Sequence, residues 1–259
     1  MRWCNVSLNP ALILELKLSD SVKLMDVSIW RGDATGGAYE HFEVPAQESQ
    51  TILDVVSWIQ QNQDANLPYR YACRVGMCGS CAMMVNGTPR WTCRTHVKKV
   101  LDGNKLTVAP LRNLPVIKDL ATDMDPFFDK WVEAEGVHHP SKSRDDAIEL
   151  IDPESSARVE ANTGIECINC SICYAACDTV AGNADYLGPA ALQRAWTLYN
   201  DARDDDKQVI LDAVSGDGGC HNCHSQGSCT VHCPNDLNPM KAIAGLKRAT
   251  AMSFLKTGR

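Results

Sequence analysis

The chain has 259 residues, which is long enough for two domains, and its 44% of hydrophobic residues is ordinary for a globular protein. Its formal net charge of −7 argues against a nucleic-acid partner, because such a partner requires a basic surface. The apolar runs are short, well below the roughly 20 residues that cross a bilayer. Any membrane contact would therefore come through a partner.

Cysteine is the unusual residue of this sequence, with thirteen copies, far more than packing requires. A disulfide framework scatters its cysteines along the chain, whereas twelve of these fall into three groups. Such grouping favours metal-bound thiolates in a reducing compartment. Cys4 stands alone and is interpreted as an incidental thiol.

The first 110 residues predict a small sheet crossed by one helix. Alternating apolar residues predict its strands, at residues 22–24, 27–30, 39–44 and 105–108. Apolar residues then recur at helical spacing from Ile52 to Ile59, behind a capping box formed by Thr51 and Asp54. The dipeptide Asn86-Gly87 predicts a tight hairpin between residues 82–85 and 91–93.

The first cysteine group has the spacing Cys-x4-Cys-x2-Cys-x11-Cys. It comprises Cys73, Cys78, Cys81 and Cys93. The first three match the plant-type [2Fe–2S] spacing, with a distal fourth ligand. Gly76 and Gly79 would give this loop positive φ and bring backbone N–H groups to the sulfurs, where they stabilise the charge added on reduction. The alternative is a four-cysteine zinc site, although such sites usually combine two Cys-x2–4-Cys pairs.

From Pro110 onward the pattern changes to helices and turns. Three dipeptides that end in proline predict helix starts: Asp125-Pro126, Gly188-Pro189 and Asn238-Pro239. The first of these helices would place Phe127, Phe128, Trp131 and Val132 on one shared face. The acid-rich residues 201–206 predict a solvated helix start or loop. We therefore expect an α+β protein, with a β-grasp plant-type ferredoxin domain at 1–115 and a mainly helical, bacterial-ferredoxin-like domain at 116–259.

The second and third cysteine groups form an internal repeat. The second group has the spacing Cys-x2-Cys-x2-Cys-x3-Cys and comprises Cys167, Cys170, Cys173 and Cys177. The third group repeats this spacing in Cys223, Cys229 and Cys233, with Pro234 after the last cysteine. Gln226 stands where the second cysteine of the repeat would be.

This repeat predicts two clusters that share their cysteines. In two-cluster ferredoxins the fourth cysteine of each run binds the cluster of the other run. One set would then be Cys167, Cys170, Cys173 and Cys233, four thiolates for a [4Fe–4S] cluster. The other set would be Cys177, Cys223 and Cys229. Three thiolates beside an amide point to a [3Fe–4S] cluster, which with one thiolate fewer should be easier to reduce than its neighbour.

Cys220 leaves two alternatives open. It forms a Cys-x2-Cys pair with Cys223 and could supply the missing corner of the third cluster. The motif formed by Cys220, His221, Cys223 and His224 could also be a separate zinc site, but that site would remove Cys223 from the repeat.

The three cysteine groups, in this order, resemble the iron–sulfur subunit of succinate dehydrogenase and fumarate reductase, the succinate:quinone oxidoreductases or complex II. The resemblance extends over roughly residues 20 to 250. It rests on residues 73–83, 115–120 with 123–124, 167–177 and 229–239.

The resemblance implies an electron-transfer chain through [2Fe–2S], [4Fe–4S] and [3Fe–4S] clusters. Its partners would be a flavoprotein subunit whose FAD acts on succinate or fumarate, membrane anchor subunits with or without haem b, and a quinone. His224 occupies the position of a family residue on the quinone side. The family often has a proline after the fourth cysteine of the second group and a tryptophan soon after it, whereas this chain reads Asp178 to Gly182.

The resemblance also implies a location. The chain would lie on the cytoplasmic face of a bacterial inner membrane, or on the matrix face of a mitochondrial one, held there by the anchor. The alternative is an iron–sulfur subunit of another flavoenzyme complex. A zinc-stabilised structural protein is a further alternative.

Overall fold

The computed structural model describes residues 23–257, so Cys4 and the first residue of the first predicted strand lie outside the described residues. The N-terminal domain is built on a five-stranded mixed sheet. Its strands are β1 (Leu24–Asp33), β2 (Gly36–Pro45), β3 (Ala82–Val85), β4 (Thr88–Trp91) and β5 (Lys105–Ala109). They lie in the order β2-β1-β5-β3-β4. The first and last strands of this sheet, β1 and β5, lie side by side near its centre and run parallel, whereas its other neighbouring strands are antiparallel.

Strand β1 is longer than the sequence predicts. The two predicted segments, 22–24 and 27–30, belong to one continuous strand over its described part, and β1 pairs with β2 through ten residue pairs. Met25, Val27 and Ile29 are buried on one face of β1, so the alternation continues through the residues that separate the two segments. A two-residue turn, Ala34 and Thr35, joins β1 to β2.

Helix α1 (Ile52–Asn62) lies across the sheet as predicted. The Thr51 hydroxyl accepts from the backbone N–H of Asp54, and the Asp54 carboxylate accepts from the backbone N–H of Thr51, which completes the capping box. Ile52, Val55, Val56 and Ile59 are fully buried with the inward side chains of β1. This cluster is the core of the N-terminal domain.

Strand β3 joins the two domains because its side chains alternate between two cores. Met83 and Val85 pack into the N-terminal core, whereas Ala82 and Met84 pack against the helical domain. The predicted hairpin is confirmed, since Asn86 and Gly87 adopt φ values of 47° and 74° between β3 and β4. The sheet therefore presents one face directly to the helices.

A two-stranded ribbon, β6 (Val116–Lys118) and β7 (Ala121–Thr122), follows the sheet. Leu120 belongs to the N-terminal core. The buried Asp119 carboxylate lies 3.0 Å from Arg31 Nε and accepts from the backbone N–H of Gly32 at 2.8 Å. The ribbon is therefore held against β1.

The C-terminal domain is helical. Its helices are α2 (Asp125–Glu133), α3 (Ser156–Ile165), α4 (Ile172–Ala175), α5 (Asp178–Gly182), α6 (Gly188–Asn200), α7 (Lys207–Ser215), α8 (Ser228–Val231) and α9 (Pro239–Thr257). The three predicted helix starts are confirmed as α2, α6 and α9. Most of α6 is buried, so α6 is the central helix against which α3 and α9 pack.

On α2 only Phe127 is fully buried, while Phe128 and Val132 are 43% and 66% exposed, because a helix that packs on one side buries a narrower stripe than its apolar residues cover. One sequence expectation in this domain is wrong. In the acid-rich segment, Asp204 is 2% exposed instead of solvated. Its carboxylate lies 3.1 Å from His138 Nδ1 and accepts from the backbone N–H of His139.

Candidate metal centres

Twelve of the thirteen cysteines lie within the described residues, and all twelve are free thiols. Nowhere between residues 23 and 257 are three His, Cys, Asp or Glu side chains arranged to hold a single metal ion. An iron–sulfur cluster keeps its thiolates further apart than a single ion does, since iron atoms and sulfides lie between them.

The first group lies in the loop between α1 and β3, with its last cysteine just after β4. The Cys73 sulfur accepts hydrogen bonds from the backbone N–H groups of Val75, Met77 and Cys78, at 3.4, 3.2 and 3.4 Å. In return, Cys73 N–H points at the Cys78 sulfur at 3.5 Å. The backbone of this loop thus places hydrogen-bond donors around the Cys73 and Cys78 sulfurs.

The remaining contacts of this loop show how burial and hydrogen bonding compete. Burial opposes ionisation of Cys78, but the Ser80 hydroxyl and the backbone N–H groups of Cys73 and Ser80 outweigh it and lower the pKa of Cys78 to about 6. Burial and the neighbouring Cys81 raise the pKa of Cys93 to about 12. The first site thus combines Cys78, where hydrogen bonds favour the thiolate, with Cys93, where burial favours the thiol.

The glycines of the first loop adopt the predicted conformation. Gly76 and Gly79 have φ values of 78° and 71°, in the left-handed region. The backbone N–H of Gly76 counteracts part of the rise in the pKa of Cys93. The N–H groups of Val75 and Met77, on either side of Gly76, donate to the Cys73 sulfur, so the loop brings backbone donors to a sulfur as predicted.

The second and third groups have the same local structure, as the repeat in the sequence predicts. Each group turns through a left-handed residue into a four-residue helix, at Ser171 before α4 and at Gly227 before α8. Cys177 follows α4 and Cys233 follows α8. The two short helices pack against each other, so the two cysteine runs face one another.

One cavity lies between these runs, and its lining includes Ala190 and Gln193 of α6. Its thiol lining comes from both runs: Cys167, Cys170, Cys173 and Cys233. Burial raises the pKa of Cys170 to about 12, and the charges of Cys167 and Cys233 add to this rise. Burial also raises the pKa of Cys173, with further contributions from Cys170 and Cys167. These four thiols are therefore close enough to interact electrostatically.

A second, separate cavity is also lined by residues of both runs. Its lining includes the remaining three thiols of the repeat, Cys177, Cys223 and Cys229. Gln226 and His224 also line it. Burial raises the pKa of Cys229 to about 11, and Cys223 and Cys177 add to the rise. Thus Cys177 faces a different cavity from the other three cysteines of its own run.

Cys220 lines neither of these two cavities. It is fully buried in the core of the C-terminal domain, with its sulfur 3.9 Å from the Thr250 hydroxyl. His221 Nε2 also lies 2.9 Å from that hydroxyl. Both side chains are therefore engaged with α9.

Sequence reasoning missed the residues that hold the Cys177 turn. The Asn113 side-chain amide donates to the carbonyl oxygens of Tyr174 and Cys177 at 2.9 and 3.0 Å. Arg112 donates to the Ala175 carbonyl at 2.9 Å and to the Asp178 carboxylate at 2.8 Å. Asp178, which departs from the family's proline, is thus paired with a residue that directly follows the sheet. No local pattern around Arg112 and Asn113 indicates this contact.

Two further residues near the second cavity were missed. Lys247 on α9 donates from Nζ to the Cys223 carbonyl at 2.6 Å, which places a positive charge beside this cysteine. Tyr186 is 1% exposed, and burial raises the pKa of its hydroxyl, with the negative charges of Cys223 and Cys177 adding to the effect. The only sequence signal for Lys247 is its place among the basic residues of the last helix.

A mixed sheet with a cysteine loop, followed by a helical domain with two facing cysteine runs, defines an iron–sulfur protein of the electron-transfer class. Comparison with protein families agrees. The 2Fe-2S iron-sulfur cluster binding domain family matches residues 26–129, and the 4Fe-4S dicluster domain family matches residues 166–238. The predicted fold class is confirmed.

Comparison with individual proteins specifies the family. The chain is 34% identical to a fumarate reductase iron-sulfur subunit of Escherichia coli, over 83% of this chain and 86% of that protein. It is 33% identical to the corresponding Mycobacterium tuberculosis subunit, over 90% and 94%. It is 35% identical to a mitochondrial succinate dehydrogenase [ubiquinone] iron-sulfur subunit of Oryza sativa, over 76% and 70%.

Among solved structures, a chain of the Mycobacterium smegmatis Sdh1 complex in the apo form superposes with a TM-score of 0.80 at 25% identity, covering 90% of this chain and 98% of that one. The chain belongs to the family of iron–sulfur subunits of fumarate reductase and succinate dehydrogenase. No helix within residues 23–257 is both long and apolar enough to cross a membrane.

Proposed function

We propose that this chain conducts electrons between the FAD of a flavoprotein subunit, which interconverts succinate and fumarate, and a quinone in the membrane. The observation that carries the proposal is the order of the thiol groups through the molecule. The loop that bears the first group touches the loop that bears the second at Gly79 and Cys170, and the second and third groups share two facing runs. Three neighbouring redox sites suit stepwise transfer, since tunnelling is fast only over short distances.

The ligand sets proposed for the first two sites follow the grouping of the sulfurs. Cys73, Cys78, Cys81 and Cys93 would hold a [2Fe–2S] cluster. Cys167, Cys170, Cys173 and Cys233 would hold a [4Fe–4S] cluster. The clusters would supply the one-electron chemistry. The chain's own part is to shield the sites from water and to place N–H donors on the sulfurs, as it does at Cys73.

Cys177, Cys223 and Cys229 would hold a [3Fe–4S] cluster. What supports this proposal is the lining of the second cavity, where Gln226 stands beside the three thiols and Cys220 is buried elsewhere. An amide is a poor ligand for iron compared with a thiolate, so the fourth iron would have no firm attachment.

The quinone side would be the surface around His224, which lines the same cavity and is exposed. Membrane attachment would come through anchor subunits, on the cytoplasmic face of a bacterial membrane or the matrix face of a mitochondrial one. The proposed division of the chain near residue 115 stays a prediction.

Anaerobic purification of the full chain with its co-purifying subunits tests the proposal. We expect brown protein whose EPR spectra contain a reduced [2Fe–2S] signal and an oxidised [3Fe–4S] signal, accompanied by a FAD-bearing subunit that oxidises succinate or reduces fumarate. A colourless protein that carries zinc would overturn the redox function. Brown protein that accompanies a flavoenzyme with another substrate would overturn the assignment to succinate and fumarate.

A further inference from the structure

The cysteine loops of the two domains touch at a single glycine. A side-chain Cβ built on Gly79 would lie 2.8 Å from both Cα and Cβ of Cys170, and 2.8 Å from the carbonyl oxygen of Ile168. All three atoms belong to the second cysteine run, in the other domain. Non-bonded carbon and oxygen atoms do not approach this closely, so there is no room for a side chain at this position.

Two other glycines separate this contact from the effect of backbone conformation. Gly76 lies in the same loop with φ +78°, but its Cβ would meet Trp91 and Arg94 of its own domain at 3.0 Å. Gly87, in the β3–β4 turn, has φ +74° and would meet nothing within 4 Å. All three positions favour glycine for the same conformational reason. Of these three, Gly79 alone contacts the other domain.

The second run is shaped to receive Gly79. Asn169 and Ser171, on either side of Cys170, are both left-handed at φ 56°, which turns the backbone around this cysteine. A cavity lies next to this contact, and residues of both loops line it, among them Ser80 and Asn169 as well as Gly79 and Cys170.

We infer that Gly79 is a positioning residue that sets the distance between the first and second redox sites. The inference rests on the proposed function, because it requires clusters on both loops. Ordinary van der Waals contact begins at 3.4 Å, so a methyl group at Gly79 reaches ordinary contact when the two loops separate by about 0.6 Å, the difference between 3.4 and 2.8 Å. Because tunnelling rates fall exponentially with distance, this small separation slows electron exchange.

Three alanine variants of the full chain, assembled with its clusters, test the inference: Gly79→Ala, Gly76→Ala and Gly87→Ala. The readouts are the iron content, the enhancement of [2Fe–2S] spin relaxation by the neighbouring cluster, and the rate of electron exchange between the two sites. For Gly79→Ala we expect full iron content, a weaker relaxation enhancement and an about twofold slower exchange. For Gly76→Ala we expect a changed [2Fe–2S] line shape with the enhancement retained, and for Gly87→Ala no change in either.

An unchanged relaxation enhancement in Gly79→Ala, or an equal loss in Gly76→Ala, would overturn the inference while the proposed function stands. Absence of clusters from the unmodified chain would refute the proposed function instead. If Gly79→Ala takes up no iron, amide exchange of residues 167–171 in the metal-free variants decides. Faster exchange there than in Gly76→Ala supports the contact, and equal exchange refutes it.

Discussion

Cys78 in the first cysteine loop and Cys170 in the second run have pKa values that are shifted in opposite directions. At Cys78, hydrogen bonds from Ser80 and from backbone N–H groups outweigh burial and bring the pKa to about 6. At Cys170, burial dominates and raises the pKa to about 12. Hydrogen bonds therefore favour the Cys78 thiolate before metal binds, whereas the Cys170 thiolate needs the positive charge of iron to offset its burial.

The largest expected effect separates the two cavities of the helical domain. Cys233→Ser should abolish the four-iron cluster and Cys177→Ser the three-iron cluster, because these cysteines line different cavities although each ends a run. EPR of both variants, with the [2Fe–2S] signal as internal control, measures the losses. Loss of only the four-iron signal in Cys177→Ser would refute the shared ligation.

A smaller, qualitative change is expected at the vacant corner. Gln226→Cys places a thiol in the second cavity at the position that Cys170 occupies in the other half of the repeat. We expect the oxidised three-iron EPR signal to be lost and iron content to rise by one atom per chain. Gln226→Ser is the matched control and should keep the signal. A four-iron cluster in the unmodified protein would contradict the vacancy.

The comparison of thiols also predicts opposite pH dependences in the metal-free chain. The folded pKa of Cys78 lies below the ordinary value of 9.0, so its contribution to stability is present above about pH 9 and is lost as pH falls through 6. The folded pKa of Cys170 lies above 9.0, so its contribution is present below pH 9 and is lost as pH rises toward 12.

Alkylation at pH 7, followed by mass spectrometry, checks the difference in thiol ionisation between Cys78 and Cys170. Cys78 should react well before Cys170, because a thiol with a pKa of about 6 is mostly ionised at pH 7. Ser80→Ala should slow the reaction of Cys78 at pH 7 and leave that of Cys170 unchanged. Equal alkylation rates in the unmodified chain would show that hydrogen bonding does not distinguish the two sites.

The smallest expected effect concerns the junction between the two regions. Asn113→Asp removes the donor that binds the Tyr174 and Cys177 carbonyls, so unfolding of the C-terminal domain should become easier by about 1–3 kcal/mol. The three-iron EPR signal should fall with it. Thr51→Ala is the control, since loss of the α1 cap costs about 1 kcal/mol in the other domain and should spare that signal. Chemical denaturation of both variants checks the order.

Elements with strong local signals were predictable. The capping box and apolar repeat of α1, the Asn86-Gly87 hairpin and the proline starts of α2, α6 and α9 all depend on residues a few positions apart. The burial of Asp204 was not predictable, because its partner His138 lies 66 residues away in the sequence. A charge run is solvated unless such a distant partner covers it.

The number of thiols, their spacing and the repeat with glutamine in place of one cysteine can be read from the residues alone, since cluster ligation imposes short, regular gaps. Three contacts cannot be read in this way: Gly79 rests on Cys170, Asn113 holds the Cys177 turn 64 residues later, and Cys220 turns into the core. The first two join the two domains and the third joins Cys220 to α9. All three depend on how distant parts of the chain pack together, which no local pattern encodes.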